Sequence, residues 1–354
     1  MLRKSRLKKE RANLKILKNN KRLYFIAILL IGCYIYLSTE VHMPEDDDSS
    51  SGMSVIRRSM NTTDEIDNCL NVQNYKYKNN NLEENGIHLK NTSFSFWDDV
   101  ILPINMYPQG ICFTEQYLMV TMYSMTHGTL GLVKIFDKDS GEYLISLGMD
   151  ENSHLGGIAY DGENIWVCNS SRNTVERIPY ALISEAIELY KGKILDVRNI
   201  VEEYKVHLVP SCITYHDGKL WIATHSKFRN SKMVSYAFDE EQNTLYKRDI
   251  YAVPAKVQGI AFDESNRIYL STSYGRKFSS YLRIYNSVKE MSKDVEDFVK
   301  IIEMPPCSEG VAIEEENIHV VFESASEKYL EGTDGYGKSL APLDKILIID
   351  MLCY

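Results

Sequence analysis

The chain has 354 residues, 44% apolar and 25% charged, with a formal net charge of −9, which is enough apolar content to bury a large core. Its first 22 residues hold ten Lys/Arg against one acid, so the rest of the chain carries −18. So acidic a body excludes a nucleic-acid partner, because phosphate contacts need a concentrated cationic surface.

In chain order, residues 1–22 form a basic tail. The stretch from Leu23 to Thr39, LYFIAILLIGCYIYLST, carries no charge. Seventeen such residues behind a basic flank predict a single-pass transmembrane signal-anchor, with the tail cytosolic and the remainder extracytoplasmic. The bulky residues that follow do not suit signal cleavage. A lipoprotein box, LIGC with Cys33 as the lipidated residue, is the alternative attachment. Residues 40–92 begin acidic and Ser-rich and read as a solvated stalk, which leaves 93–354 as the folded domain.

That domain repeats one unit five times: QGICFTEQYLMVTMYS at Gln109, GGIAYDGENIWVCNSS at Gly156, SCITYHDGKLWIATHS at Ser211, QGIAFDESNRIYLSTSYG at Gln258 and EGVAIEEENIHVVFES at Glu309. Each copy predicts a short strand, a polar turn and a second strand rich in β-branched and aromatic residues. Third and fourth strands follow as hairpins such as LVKIFDKDSGEYLISLG, and the second and fourth units add helical insertions, ALISEAIELYKG and SVKEMSKDVEDFVK. Spacings of 47, 55, 47 and 51 residues with this content define propeller blades. The last unit ends a strand short, and DDVILPINMYPQG upstream of Gln109 has the rhythm of a fourth strand. The fold class is therefore all-β: a five-bladed β-propeller whose N-terminal strand closes the C-terminal blade and removes the open sheet edges.

The segment GTDGYGKS, Gly332 to Ser339, satisfies the spacing of a phosphate loop. It is not read as one: Pro342 stands where a helix should open, and the next regular element is a strand, KILIIDM. No nucleotide is expected. The glycine-rich segment is a candidate lid instead. Six cysteines lie beyond Cys33, and Cys112, Cys168 and Cys212 fall in apolar strand patterns, which favours buried thiols over disulfides. The triplets at Asn61, Asn91 and Asn169 match the N-glycosylation acceptor pattern.

The xGIAFD…IYLST rhythm resembles β-propellers of the group containing NHL-repeat, gluconolactonase-type and strictosidine-synthase-like proteins, over about residues 95–354. Resemblance to the gluconolactonase type implies a divalent cation, Ca²⁺ or Mg²⁺, in the central well, with Glu309 and Asn169 as metal ligands. QGICF is also similar to a motif of plant-type glutaminyl cyclases, but Tyr123 stands where their catalytic acid is found, so that activity is not implied.

Antiparallel pairing places the start of each first strand and the end of each second strand on one rim. Gln109, Ser211, Gln258 and Glu309, with His154 before the second copy, supply polar side chains at first-strand starts. Asn169, His225, Tyr274 and Glu323 stand at second-strand ends. The connections beyond carry His127, Arg172, Lys227 with Arg229, Arg276 with Lys277, and Lys328, and Lys338 lies on the glycine-rich loop of the same rim, a basic rim suited to anions. Solvated channel residues and ordinary surface charge account for the same pattern equally simply. The expected function is binding of a small anionic or polar ligand at this rim. The alternatives are a metal-dependent hydrolase or lyase, with Glu309 and His225 as catalytic groups, and a protein- or glycan-interaction module. Trp166, Trp221 and Tyr269 share one strand column and are expected to pack between blades.

Overall fold

A computed structural model describes residues 94–351, apart from 98, 101, 104, 340 and 341. The tail, the 23–39 segment and the whole 40–92 stalk therefore lie outside the described residues, as do Cys69 and Cys353. Among the described residues no helix is long and apolar enough to cross a membrane.

Five antiparallel sheets follow the five repeats. Blade 1 consists of β2 (Tyr107–Phe113), β3 (Tyr117–Tyr123), β4 (Gly131–Asp137) and β5 (Tyr143–Met149). Blade 2 holds β6 (Ile158–Tyr160), β7 (Asn164–Asn169), β8 (Thr174–Pro179) and, after helix α1 (Tyr180–Tyr190), β10 (Glu202–Lys205). Blade 3 runs β11 (Cys212–His216), β12 (Lys219–Ala223), β13 (Ser231–Asp239) and β14 (Thr244–Val253). Blade 4 runs β15 (Val257–Phe262), β16 (Ile268–Thr272), β17 (Ser280–Tyr285) and, after α2 (Val288–Lys293), β18 (Lys300–Met304). Blade 5 has β19 (Ser308–Glu314), β20 (Asn317–Phe322) and, after α3 (Glu327–Glu331), β21 (Ile346–Asp350). Its fourth strand is β1 (Phe94–Trp97), paired antiparallel to β21 from Phe94↔Ile349 to Trp97↔Ile346.

Two details depart from expectation. The closing strand lies just upstream of DDVILPINMYPQG, because the proline-containing segment is used as the passage into β2. The second-blade insertion yields, besides α1, a short strand β9 (Ile194–Asp196) that pairs parallel with β5 and widens blade 1 rather than blade 2.

Burial falls from the axis outward. Every residue of β3 and β7 is buried, whereas β14 is largely exposed along its length, so inner strands read as continuous apolar runs and outer ones do not. A hydrophobic cluster fills each of the five gaps between neighbouring blades. Each fully buried Leu, Ile or Phe there contributes about 1.5–3 kcal/mol. Trp166, Trp221 and Tyr269 are buried in these gaps, each with its polar atom tied back toward the preceding turn: Trp166 to Asp161 at 2.6 Å, Trp221 to the His216 carbonyl at 3.1 Å and Tyr269 to Asp263 at 2.9 Å. The turn of YHDGK takes positive φ at both Asp217 (49°) and Gly218 (69°), the hairpin geometry that Asp-Gly pairs favour.

Near the axis the inner strands almost touch. A β-carbon at Gly110 would sit 2.6 Å from the Gly157 Cα, and one at Gly310 would sit 2.6 Å from the Gln109 carbonyl oxygen. This close backbone approach is why the repeats carry glycine in QG, GG and EG. The pairing register shifts at Pro108/Ile111, Val257/Gly259 and Ser308/Val311. Gln109, Gln258 and Glu309 all lie within these shifts, where a bulge re-aims side chains.

Candidate functional site: a carboxyl pair in the central well

First-strand starts and second-strand ends share one rim, as the Cα pairings Tyr107↔Tyr123, Cys212↔Ala223 and Ser308↔Phe322 require. At that rim opens a cavity of about 380 Å³. Of the residues expected there, Gln109, His154, Ser211, His225, Gln258, Glu309 and Glu323 line it.

Glu309 is 4% exposed and Glu323 is half-buried, and their carboxyl groups hydrogen-bond to each other. Three further donors fix the pair. Gln258 donates its amide to Glu309 Oε1 at 3.0 Å, Gln109 donates to Glu323 Oε2 at 3.3 Å, and the Tyr329 hydroxyl donates to Glu323 Oε1. Burial and the neighbouring Glu323 charge lift the Glu309 carboxyl well above the usual range. Burial also lifts Glu323, but its donors and the Lys328 ammonium act in the opposite sense. Because both Glu323 oxygens already accept hydrogen bonds from uncharged donors, Glu323 is the ionised partner and Glu309 keeps the shared proton.

Aromatic residues form one wall. Tyr107 stacks on Tyr123 at 4.9 Å between ring centroids, and His154 stacks on the same Tyr123 at 4.4 Å. Burial, with a smaller contribution from Lys328, lowers the His154 pKa. The Lys328 ammonium sits over the rings of Tyr107 (5.2 Å) and Tyr329 (4.6 Å). On the blade 3 side the Ser211 hydroxyl accepts from the His225 backbone N–H at 2.9 Å, and His225 Nδ1 lies 3.3 Å from the Val257 carbonyl.

The remaining expected residues are not brought to the cavity. Asn169 is fully buried and donates its amide to Asp150 (3.1 Å) and Glu176 (2.7 Å), while its oxygen accepts from Ser171 and the Arg172 N–H. It is neither an available partner for Glu309 around a cation nor an accessible glycan acceptor. Among the described residues no group of three His, Cys, Asp or Glu is placed to hold a metal ion, so the donor set does not fit the cation that the gluconolactonase resemblance implies. Arg172 is paired with Asp150 at 3.3 Å and with Glu203. Arg276 is drawn into a two-pronged pair with Asp334 at 2.9 and 2.6 Å and lies over the Tyr329 ring. Lys227 lies 4.8 Å from the Tyr274 ring centre, beside the mouth. Lys338 is exposed on the loop. Two cations of the basic rim expected from sequence, Arg172 and Arg276, are thus paired with acids, and among the described Lys and Arg residues it is Lys328 that lines the cavity.

Lys328, expected from the sequence as a cation of the basic rim, does line the cavity, whereas Tyr329 is not legible in the sequence because it lies on α3, a single helical turn in SASEKYLE that periodicity does not reveal. The available signal was Ser326 immediately before it as a helix start. GTDGYGKS follows α3: Gly332 caps that helix at φ 65°, so the segment ends a helix where a phosphate loop would begin one. Cys112, Cys168, Cys212 and Cys307 are buried free thiols.

Fold and site together define a five-bladed β-propeller with a polar central well built around a carboxyl pair. No protein-family model and no curated protein matches the chain. Among solved structures it is similar to a chain of a nidogen/laminin complex, with 13% identity over 62% of this chain and 73% of that chain and a TM-score of 0.40. It is also similar to the tail fiber of Staphylococcus aureus phage P68, with 11% identity, 78% and 57% coverage and a TM-score of 0.49. A third is the PQQ-bound aldose sugar dehydrogenase of Streptomyces coelicolor, with 14% identity, 73% and 98% coverage and a TM-score of 0.43. No ligand, partner or reaction is transferred from them.

Proposed function

We propose that the propeller binds a small polar molecule in its central well and that the Glu309–Glu323 pair is the recognition element. The supporting observation is the placement of two carboxyl groups side by side in a cavity whose wall also carries Tyr123, Tyr329, His154 and His225. Burying them costs free energy that packing does not require, and perturbed titratable groups converging on a cleft mark binding or catalytic sites. The pair offers an O–H donor and carboxylate acceptors together, so the ligand presents both a donor and an acceptor. An anionic group on the same ligand has Lys328 as its partner. The reading includes tethering through residues 23–39, with the propeller on the extracytoplasmic side; resistance of the full-length protein to alkaline extraction from membranes tests that part.

The binding test is a thermal-shift screen of the full-length protein against neutral, anionic and cationic polar small molecules. Neutral polar compounds are expected to stabilise the wild type, and the Glu309→Gln plus Glu323→Gln variant is expected to lose at least tenfold in affinity. Equal affinity in that variant would place the ligand elsewhere.

A second reading, a glycan-interaction surface, has its own observation. Met125, Phe228 and Tyr336, exposed at 61%, 72% and 73%, stand on connections leaving the same rim. Loss of glycan-array binding on Phe228→Ala plus Tyr336→Ala would support it, and unchanged binding would remove it.

A further inference from the structure

Glu309 and Glu323 differ in how they are held. Glu309 is buried, accepts one neutral donor from Gln258 and bonds to the opposite carboxyl, whereas half-buried Glu323 accepts from Gln109 and Tyr329 and faces the cavity. One proton on Glu309 and a carboxylate at Glu323 place an acid and a base within hydrogen-bond distance on the same side of the well. That spacing is informative. Glycoside cleavage needs two carboxyls about 5–9.5 Å apart on opposite faces of a sugar, which a directly hydrogen-bonded pair does not offer. Adding water across a carbonyl needs the reverse: one group takes a proton from water while its close neighbour gives one to the carbonyl oxygen.

We propose that Glu323 and Glu309 form an acid–base pair that hydrolyses a small amide or ester bound in the well. The inference rests on the reading of the well as a ligand site. In the first step the Glu323 carboxylate removes a proton from water and the water oxygen bonds to the carbonyl carbon. The C=O π pair moves to oxygen, which takes the Glu309 proton. The result is a neutral tetrahedral adduct, protonated Glu323 and ionised Glu309. In the second step Glu309 takes back a hydroxyl proton as the carbonyl re-forms, the bond to the leaving nitrogen or oxygen breaks, and Glu323 protonates that atom. Acid, amine or alcohol, and the original pair are recovered. Lys328 lines the same cavity and favours the oxygen as it gains negative charge. Tyr329 and Gln109 act through Glu323 as positioning residues.

The test uses the full-length protein with two probes, 4-nitrophenyl acetate and alanine 4-nitroanilide, and follows both release of chromophore and binding by calorimetry. Turnover above the uncatalysed rate is expected for at least one probe, with a bell-shaped pH dependence of kcat. Glu323→Gln and Glu309→Gln should each lower kcat by at least about 100-fold, with melting temperatures showing both variants folded. Tyr329→Phe should shift the pH profile more than it lowers kcat. Probes that bind wild type without turnover, or that are turned over equally by both Gln variants, overturn the catalytic proposal and leave the ligand site standing. Probes that neither bind nor turn over overturn both.

Discussion

Glu309 leaves an inner strand at a bulge and ends against Glu323, so two carboxyls meet where water reaches only one of them well. The consequence is a pH signature. A carboxyl whose pKa is raised on folding contributes stability that is fully present below its unfolded value, near 4.3–4.5, and is lost as pH rises toward its folded value. Wild type should therefore lose melting temperature as pH rises above the ordinary carboxylate range, about 4.5, relative to Glu309→Gln, which keeps the shape and removes the titrating proton. Parallel melting curves for the two proteins above that pH would show that Glu309 titrates normally. At this scale the sequence was half legible. Gln109, Gln258 and Glu309 stand out as polar side chains in an apolar strand column, but their convergence on one pair depends on bulges, and a bulge has no signature in a single sequence. The basic rim is legible in part for a related reason: Lys328 lines the cavity, but Arg172 and Arg276 are visible only as cations, whereas their partners Asp150 and Asp334 lie 22 and 58 residues away along the chain.

At the scale of elements, α3 and the loop after it join the two ends of the ring. Ser326 donates to the Met106 carbonyl at 2.8 Å, Tyr329 reaches Glu323, and Asp334 locks the following loop to Arg276. The Asp334 carboxyl is held below its usual range chiefly by the Arg276 hydrogen bonds. Replacing Arg276 with Ala removes the two-pronged pair, an effect of about 2 kcal/mol on local opening. Trypsin should then cut at exposed Lys338 roughly 30-fold faster, with global melting little changed; an unchanged cleavage rate would mean that the loop is held by other contacts. The seam between blades 5 and 1 carries a second titratable device. On β20, His319 packs against Trp97 of the closing strand at 5.9 Å and against Phe113 at 4.7 Å, and its Nδ1 has no hydrogen-bond partner. Burial lowers its pKa to about 4. A histidine lowered in this way contributes stability that is present above about pH 6.5 and is lost as pH falls toward 4. His319→Phe should keep the stack and remove that acid sensitivity. A variant that melts at acid pH just as wild type does would contradict the assignment.

At the scale of the whole molecule, the five repeats and closure by an N-terminal strand were legible because they rest on periodicity and on pairing arithmetic, which sequence carries directly. The parallel strand β9 was not, since a three-residue strand in an insertion adds nothing to the repeat. The glycines explain why the ring is small: Gly110, Gly157, Gly259 and Gly310 let neighbouring inner strands approach to backbone contact. Gly310→Ala should destabilise the ring by about 1–3 kcal/mol through overpacking and weaken ligand binding through the displaced Glu309, whereas an unchanged melting temperature would show slack at the axis. All of these expectations meet in one property, a shared proton held in the central well. Infrared difference spectroscopy of the protein at pH 7 measures it most directly. The account predicts a protonated-carboxyl C=O band that is present in wild type and absent in Glu309→Gln; a wild-type spectrum with every carboxyl ionised at that pH would contradict it.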